Sequence, residues 1–202
     1  MIKRVTKIIA VGIVLGIFSL VIFGGRCWAL GVYRDLSERA KKADSIIVGT
    51  VVEQRSEWRQ IHSPQVGDLV FTNVKIQVTE SWKSPAGEKV PEELVVRVPG
   101  GRNGRFVVRV SEMPRFRDSE KVVLFLRKSK KTGVHQLVAG SQGAFRFQTE
   151  PDSKREVLIN EAGEFLVDVS TMRFERNPAP QNKVTLEQLH QYLKESLSER
   201  QK

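Results

Sequence analysis

A single cysteine, Cys27, occurs among 202 residues, so no disulfide can form within one molecule. Small exported domains often rely on disulfides, and this chain must instead be held by apolar burial. Histidine is almost as scarce. His62, His135 and His190 are far apart, and neither HxxxH nor CxxC spacing occurs. A transition-metal site needs clustered His, Cys, Asp or Glu, and no motif of that kind is present. Gly140-Ser141-Gln142-Gly143 lacks the strand–elbow–helix setting of a hydrolase nucleophile and reads as a hairpin loop. Pro99-Gly100-Gly101-Arg102-Asn103-Gly104 joins two strands and has no P-loop lysine, so it reads as a turn and not a phosphate cradle. The sequence therefore implies no cofactor and favours a non-enzymatic role.

What is present begins at the N-terminus. Lys3, Arg4 and Lys7 precede an uncharged apolar run from Ile8 to Gly25, and Cys27-Trp28-Ala29 ends in a small residue. Basic, then apolar, then small is the layout of a signal peptide, here 1–29, with cleavage expected after Ala29. The alternative is an uncleaved single-pass anchor, since the apolar run is about eighteen residues, the lower edge of a membrane-spanning helix. Gly12, Gly16, Gly24 and Gly25 favour the cleaved leader. Lipid attachment at Cys27 is a third option, opposed by Arg26 immediately before it. In every case the globular part is exported, to the periplasm or beyond, because the basic start stays in the cytoplasm. No later apolar stretch approaches spanning length.

The remainder reads as one mainly β domain, 30–176, followed by a linker and C-terminal helix, 177–202. Gly31 to Asp44 suggests a short helix, with Tyr33, Leu36 and Ala40 at helical spacing. Ser45 to Gln54 is β-branched on both faces, as in a central strand. Val70, Thr72, Val74, Ile76 and Val78 alternate with Asn73, Lys75, Gln77 and Thr79, which predicts a strand with one face on the core. Further strands are expected at Leu94–Val98, Arg105–Val110, Lys121–Arg127, Gly133–Ala139, Ala144–Gln148, Glu156–Asn160 and Phe165–Val169. Lys121–Arg127 is apolar almost throughout and should be buried on both faces. Gly163 marks a hairpin turn between the last two strands. Asn177-Pro178-Ala179-Pro180 is too proline-rich to pair. Thr185 and Gln188 form a capping-box signal before the stripe Leu186, Leu189, Tyr192, Leu193 and Leu197, which is expected to dock on the domain.

About nine short strands flanked by two helices point to a closed or nearly closed antiparallel β-barrel. The run Ala43-Asp44-Ser45-Ile46-Ile47-Val48-Gly49-Thr50-Val51 resembles the opening of netrin-like domains, the OB-type barrels of tissue inhibitors of metalloproteinases. A strand ending in a Trp-Lys turn, Val74 to Lys83, and a hydrophobic strand pair, Lys121 to Gly140, match later parts of that pattern. Val98–Gly101, Pro114–Phe116 and Val122–Leu126 are similar to motifs of uncharacterised exported bacterial proteins. The resemblance spans roughly Leu36 to Phe147 and implies an OB-like, netrin-like barrel. It also implies protease inhibition or regulation as one function. However, the family's inhibitors chelate zinc through an N-terminal cysteine, and cleavage after Ala29 leaves none.

Charge supplies the remaining hint. Between Arg97 and Lys131 eleven basic residues face only Glu112, Asp118 and Glu120, while the rest of the chain after residue 29 is nearly balanced. Arg97, Arg102, Arg105, Arg109, Arg115, Arg117, Lys128, Lys130 and Lys131 are therefore the candidate face for an anionic partner. That partner is an envelope or extracellular protein, an anionic polymer or a lipid surface; an exported location argues against nucleic acid. The competing readings are a solvated basic face with no partner, a protease inhibitor or regulator, and an enzyme of unrecognised class.

Overall fold

Two long strands, β1 (Ser45–Ser63) and β2 (Val66–Lys83), organise the structure, a computed structural model that describes residues 35–63, 66–86 and 88–198. The expected leader and the first residues of the expected N-terminal helix lie outside the described residues. β1 and β2 pair antiparallel from Ile46 opposite Lys83 to Ser63 opposite Val66, several residues beyond the stretches expected from periodicity. The extension is missed because Glu53, Arg55, Trp58 and Arg59 are exposed and carry no burial period. There the strands are held by cross-strand pairing, not by a core.

β3 (Glu93–Pro99) pairs with β2, and β6 (Lys121–Lys128) returns to the free edge of β1. The spatial order β6-β1-β2-β3 is that of a Greek key. β7 (His135–Leu137) pairs with β6 and meets β3 through one bridge, Val96 to His135, so the pairings run around β1, β2, β3, β7, β6 and back to β1. That last bridge is parallel, which corrects the expectation of an all-antiparallel barrel. The reason is topological: five strands in a ring cannot all run opposite to both neighbours, so one like-directed pair is unavoidable.

β1 occupies one edge of β6, so β7 and β8 (Ala144–Thr149) must share the other, β7 near Leu126–Lys128 and β8 near Val122–Leu124. From β8 the sheet continues through β9 (Glu156–Ile159), β10 (Phe165–Asp168) and β11 (Arg173–Glu175), giving nine strands in one mixed sheet. β11 was not expected; its three residues, of which only Phe174 is partly buried, are too few to show a period. The expected hairpin loop at Gly140–Gly143 is instead a 3₁₀ turn, because β7 and β8 lie end to end on β6 and do not pair with each other. A separate small hairpin, β4 (Gly101–Asn103) and β5 (Phe106–Val108), stands against β1 and β2, with Asn103 opposite Phe106 across the expected turn. The remaining elements are helices α1 (Leu36–Lys42) and α2 (Leu186–Ser198).

The two-sided burial of β1 and β6 has a direct cause. Ile47, Val51, Val122, Leu124 and Leu126 join Val74, Ile76, Val96, Val98 and Phe116 in a core inside the ring. Their neighbours Ile46, Val48, Val123 and Phe125 point the opposite way, into a second core with Leu36, Ala40, Phe145, Leu158, Leu166, Leu189 and Leu193. Alternation by two along a strand sends successive side chains into different layers. Phe125 meets Phe145 edge to face at 5.9 Å. Residues 177–198 therefore do not form a separate tail: α2 belongs to the same compact unit as the strands. Its capping box is made as expected, Gln188 donating its backbone N–H to the Thr185 hydroxyl (3.2 Å) and accepting from the Thr185 N–H (2.9 Å).

The motifs behind the family resemblance have structural jobs. Ala43 is packed in the second core, and the Asp44 carboxylate accepts from the Lys128 backbone N–H at 2.9 Å, tying α1 to the end of β6. Gly49 lies so close to β2 that a Cβ would approach the Gln77 carbonyl oxygen to 2.6 Å. The Lys83 ammonium donates to the carbonyls of Ala40 (2.8 Å) and Ala43 (2.5 Å), satisfying the C-terminal end of α1. Trp82 stacks on His190 of α2, ring centres 4.5 Å apart. Between β8 and α2, the buried Glu150 carboxylate accepts from Lys183 (2.8 Å), Ser153 (2.6 Å) and Arg155 (2.8 Å). The Lys183 ammonium, the Ser153 hydroxyl and the Arg155 guanidinium hold its carboxyl down at about 2. Among the described residues no helix is long and apolar enough to cross a membrane.

Candidate functional site: an arginine-lined groove

The nine candidate cations separate into three groups. Arg97 lies on the outer face of β3, where its Nε donates to the Asn73 side-chain oxygen at 2.9 Å, with Glu57 at 3.9 Å. Burial is the main cause that lowers its pKa. It borders a shallow depression with Val95 and His135. Burial, and then the charge of Lys128, pull His135 below its usual 6.5, so its imidazole is neutral at pH 7. Lys128 ends β6, 3.7 Å from Glu88, while Lys130 and Lys131 are exposed in the β6–β7 turn.

The third group converges. Arg102 on β4, Arg109 just after β5, and Arg115 in the following loop line one groove with a cavity of about 330 Å³. Arg105, at the tip of the β4–β5 turn, lies over the Phe106 ring at 5.2 Å beside this groove, and Arg117 is exposed further along the chain. Among the described residues no carboxylate forms an ion pair with Arg102, Arg105, Arg109, Arg115, Arg117, Lys130 or Lys131. Of the nine residues named as a candidate face, Arg102, Arg109 and Arg115 share one groove and the others lie apart from its lining. Alternation along β3 turns Arg97 to the outer face, and the chain between β3 and β6 folds into a hairpin and loop that carry the other arginines elsewhere.

The groove exists because of the corner Val98-Pro99-Gly100-Gly101. Gly100 and Gly101 hold φ of 93° and 140°, values open to glycine and costly for other residues. A Cβ on Gly101 would collide with the Thr72 hydroxyl and come within 2.6 Å of the Ser56 hydroxyl. The corner is pinned by Gly100 N–H to the Val70 carbonyl (2.7 Å) and by the Thr72 hydroxyl to the Gly100 carbonyl (2.7 Å). Beyond it the β4–β5 hairpin leans on β1, with the Asn103 amide donating to the Ser56 carbonyl at 3.3 Å. Arg115 is fixed from behind, its carbonyl accepting from the Arg146 guanidinium, which also lies 2.5 Å from Glu120. The Arg146 Nε is not aligned for a hydrogen bond there, so this is charge contact more than directed bonding.

Below the arginines the lining is apolar: Val74, Val98 and Phe116 from the core inside the ring, and Val107, Val110, Met113 and Pro114 around them. No Asp or Glu is among the lining residues. Outside the lining Trp58 and Phe106 meet edge to face at 5.9 Å, and Trp58, Phe106 and the lining residue Val107 remain 44%, 50% and 56% exposed. Gln54, Ser56, Thr72 and Met113 were not foreseen as site residues. One signal was visible: Thr72 interrupts the apolar face of β2 between Val70 and Val74. Nothing local, however, tells that Ser56 and Thr72 face Gly101.

Ser141 lies in the 3₁₀ turn, its backbone N–H bonded to the Glu112 carbonyl at 2.7 Å. His135 and His190 are on β7 and α2, and among the described residues no group of three His, Cys, Asp or Glu is placed to hold a metal. No protein-family model and no curated protein matches the chain, and its functional reading therefore rests on the geometry of this groove.

Proposed function

We propose that the protein is an exported, non-enzymatic binding or accessory module that holds an anionic partner through its arginine-lined groove and adjoining basic surface. The observation that carries this reading is the convergence of Arg102, Arg109 and Arg115 on one concavity whose lining contains no acid. Charge of one sign held over a low-dielectric surface concentrates counter-ions of the other sign. The exposed Trp58 and Phe106 beside it are the residue types enriched where partners are gripped. Export rests on the leader read from residues 1–29. The Greek-key ring, joined at β3 and β7 by a single bridge, supports an OB-type barrel of the netrin-like kind, since OB-folds are five-stranded, partly open Greek-key barrels.

The test is a salt series on an anionic resin. Neutralising Arg105, Arg109, Lys130 and Lys131 together should move elution to markedly lower salt, because each lost contact removes part of the counter-ion release. Elution unchanged by those four substitutions refutes the reading.

A further inference from the structure

Three features of the groove narrow the chemistry of its ligand. The first is charge: three arginines and no carboxylate line it. The second is the commitment of its hydroxyl groups. Thr72 gives its one hydroxyl proton to the Gly100 carbonyl (2.7 Å), so in the 2.9 Å contact between the Ser56 and Thr72 hydroxyls Ser56 must be the donor. Both protons are then spent inside the protein, and Gln54 already directs an amide proton to Asp118 at 2.9 Å. The donors left for a ligand are chiefly guanidinium N–H groups, which suit carboxylate or phosphate oxygens and not the hydroxyls of a neutral sugar. The third is the floor, where Val107, Val110, Met113 and the edge of Phe116, backed by the buried Val74 and Val98, offer apolar surface that an inorganic anion would leave unfilled. A volume of about 330 Å³ lies at the small end of sites for compact ligands and is too small for a folded segment.

We infer that this groove binds a single-chain anionic amphiphile, its carboxylate or phosphate held by Arg102, Arg109 and Arg115 and its apolar chain laid on Val107, Val110, Met113 and Phe116. The inference deepens the proposed function and rests on it, naming the ligand class for the groove while leaving Lys130 and Lys131 outside it. Val107, which lines the groove and is 56% exposed, carries the apolar lining to its mouth, so a chain longer than the cavity keeps an apolar contact where it emerges. Burial of each further methylene strengthens binding until the apolar lining ends.

The experiment is calorimetric titration of the full chain with octyl phosphate below its micelle concentration. Inorganic phosphate, octanol and anionic phospholipid vesicles serve as the comparison probes. One octyl phosphate per chain is expected, with inorganic phosphate and octanol each binding at least about tenfold more weakly. Arg109→Gln and Arg115→Gln, both at exposed side chains, should each weaken octyl phosphate about ten- to a hundredfold, the range for a hydrogen bond to a charged group. Their urea midpoints should stay at the wild-type value. Lys130→Gln with Lys131→Gln should leave the titration unchanged while lowering retention on the anionic resin. Inorganic phosphate binding as tightly as octyl phosphate overturns the inference, as does octanol binding as tightly. Binding to vesicles alone also overturns it and makes the surface a membrane contact. Salt-dependent retention without any octyl phosphate binding sinks this inference alone. Loss of both sinks the proposed function with it.

Discussion

Replacing Leu193 by alanine tests whether the C-terminal helix is a working part of the core. Leu193 is 1% exposed and sits in one cluster with Leu36 of α1, Phe125 of β6, Leu158 of β9 and Leu189. Removing a buried leucine side chain down to Cβ costs about 2–5 kcal/mol, the transfer of the lost methyl groups plus the cavity left behind. The upper part of that range belongs to sites that cannot collapse. Leu193 belongs to a layer backed by the buried Val122–Leu126 stretch of β6, so about 3 kcal/mol is expected. With a urea slope of about 2 kcal/mol per molar, this lowers the unfolding midpoint by about 1.5 M. Leu197→Ala, at a partly buried position on the same stripe, should shift it by less than half as much. The assay is urea unfolding followed both by far-UV circular dichroism and by tryptophan fluorescence in a Trp28→Phe, Trp58→Phe background, which leaves Trp82, stacked on His190 of α2, as the reporter. Both signals should move together in one transition. A Leu193→Ala midpoint within about 0.3 M of wild type, or a separate early transition for α2, would refute the shared core.

Three further outcomes are expected. Gly101→Ala should destabilise by about 1–3 kcal/mol, from its φ of 140° and the collision with Thr72. Gly104→Ala meets no atom within 4 Å and should cost only about 1 kcal/mol, so equal urea midpoints would contradict the account of the corner. The Glu150 carboxyl lies at about 2 in the fold against an ordinary 4.5, so its contribution is whole above pH 4.5 and lost as pH falls toward 2. The gap in urea midpoint between wild type and Glu150→Gln should therefore narrow across that window; a gap that is constant from pH 5 to 2 would be inconsistent with the ion cluster. Finally, the intact mass of protein recovered from the exported fraction should correspond to a chain starting at Leu30, whereas a heavier species would point to an anchor or a lipid on Cys27.

Periodicity made much of this fold legible. The alternation Val70, Val74, Ile76 against Asn73, Lys75, Gln77 set the faces of β2, and unbroken apolarity marked β1 and β6 as central strands. The capping box at Thr185 and the stripe of α2 were equally plain. These are local properties: a residue's neighbours at spacing two or nearly four decide which side it presents. Where no burial period exists the signal fails, as in the outer half of the β1–β2 hairpin and in the three-residue β11.

Read alone, the sequence establishes that a mainly β chain with one cysteine and a concentrated basic segment builds its stability from two-sided strands and a docked amphipathic helix. How that basic segment is divided is set by the folded arrangement. A charge run in sequence is one-dimensional, whereas a strand alternates its side chains and a hairpin reverses them. Arg97 was thereby sent to Asn73 and Glu57, Lys130 and Lys131 to an exposed turn, and Arg102, Arg109 and Arg115 to one groove. The parallel bridge between β3 and β7 and the meeting of Gly101 with Ser56 and Thr72 were likewise settled by long-range closure, for which no local pattern exists.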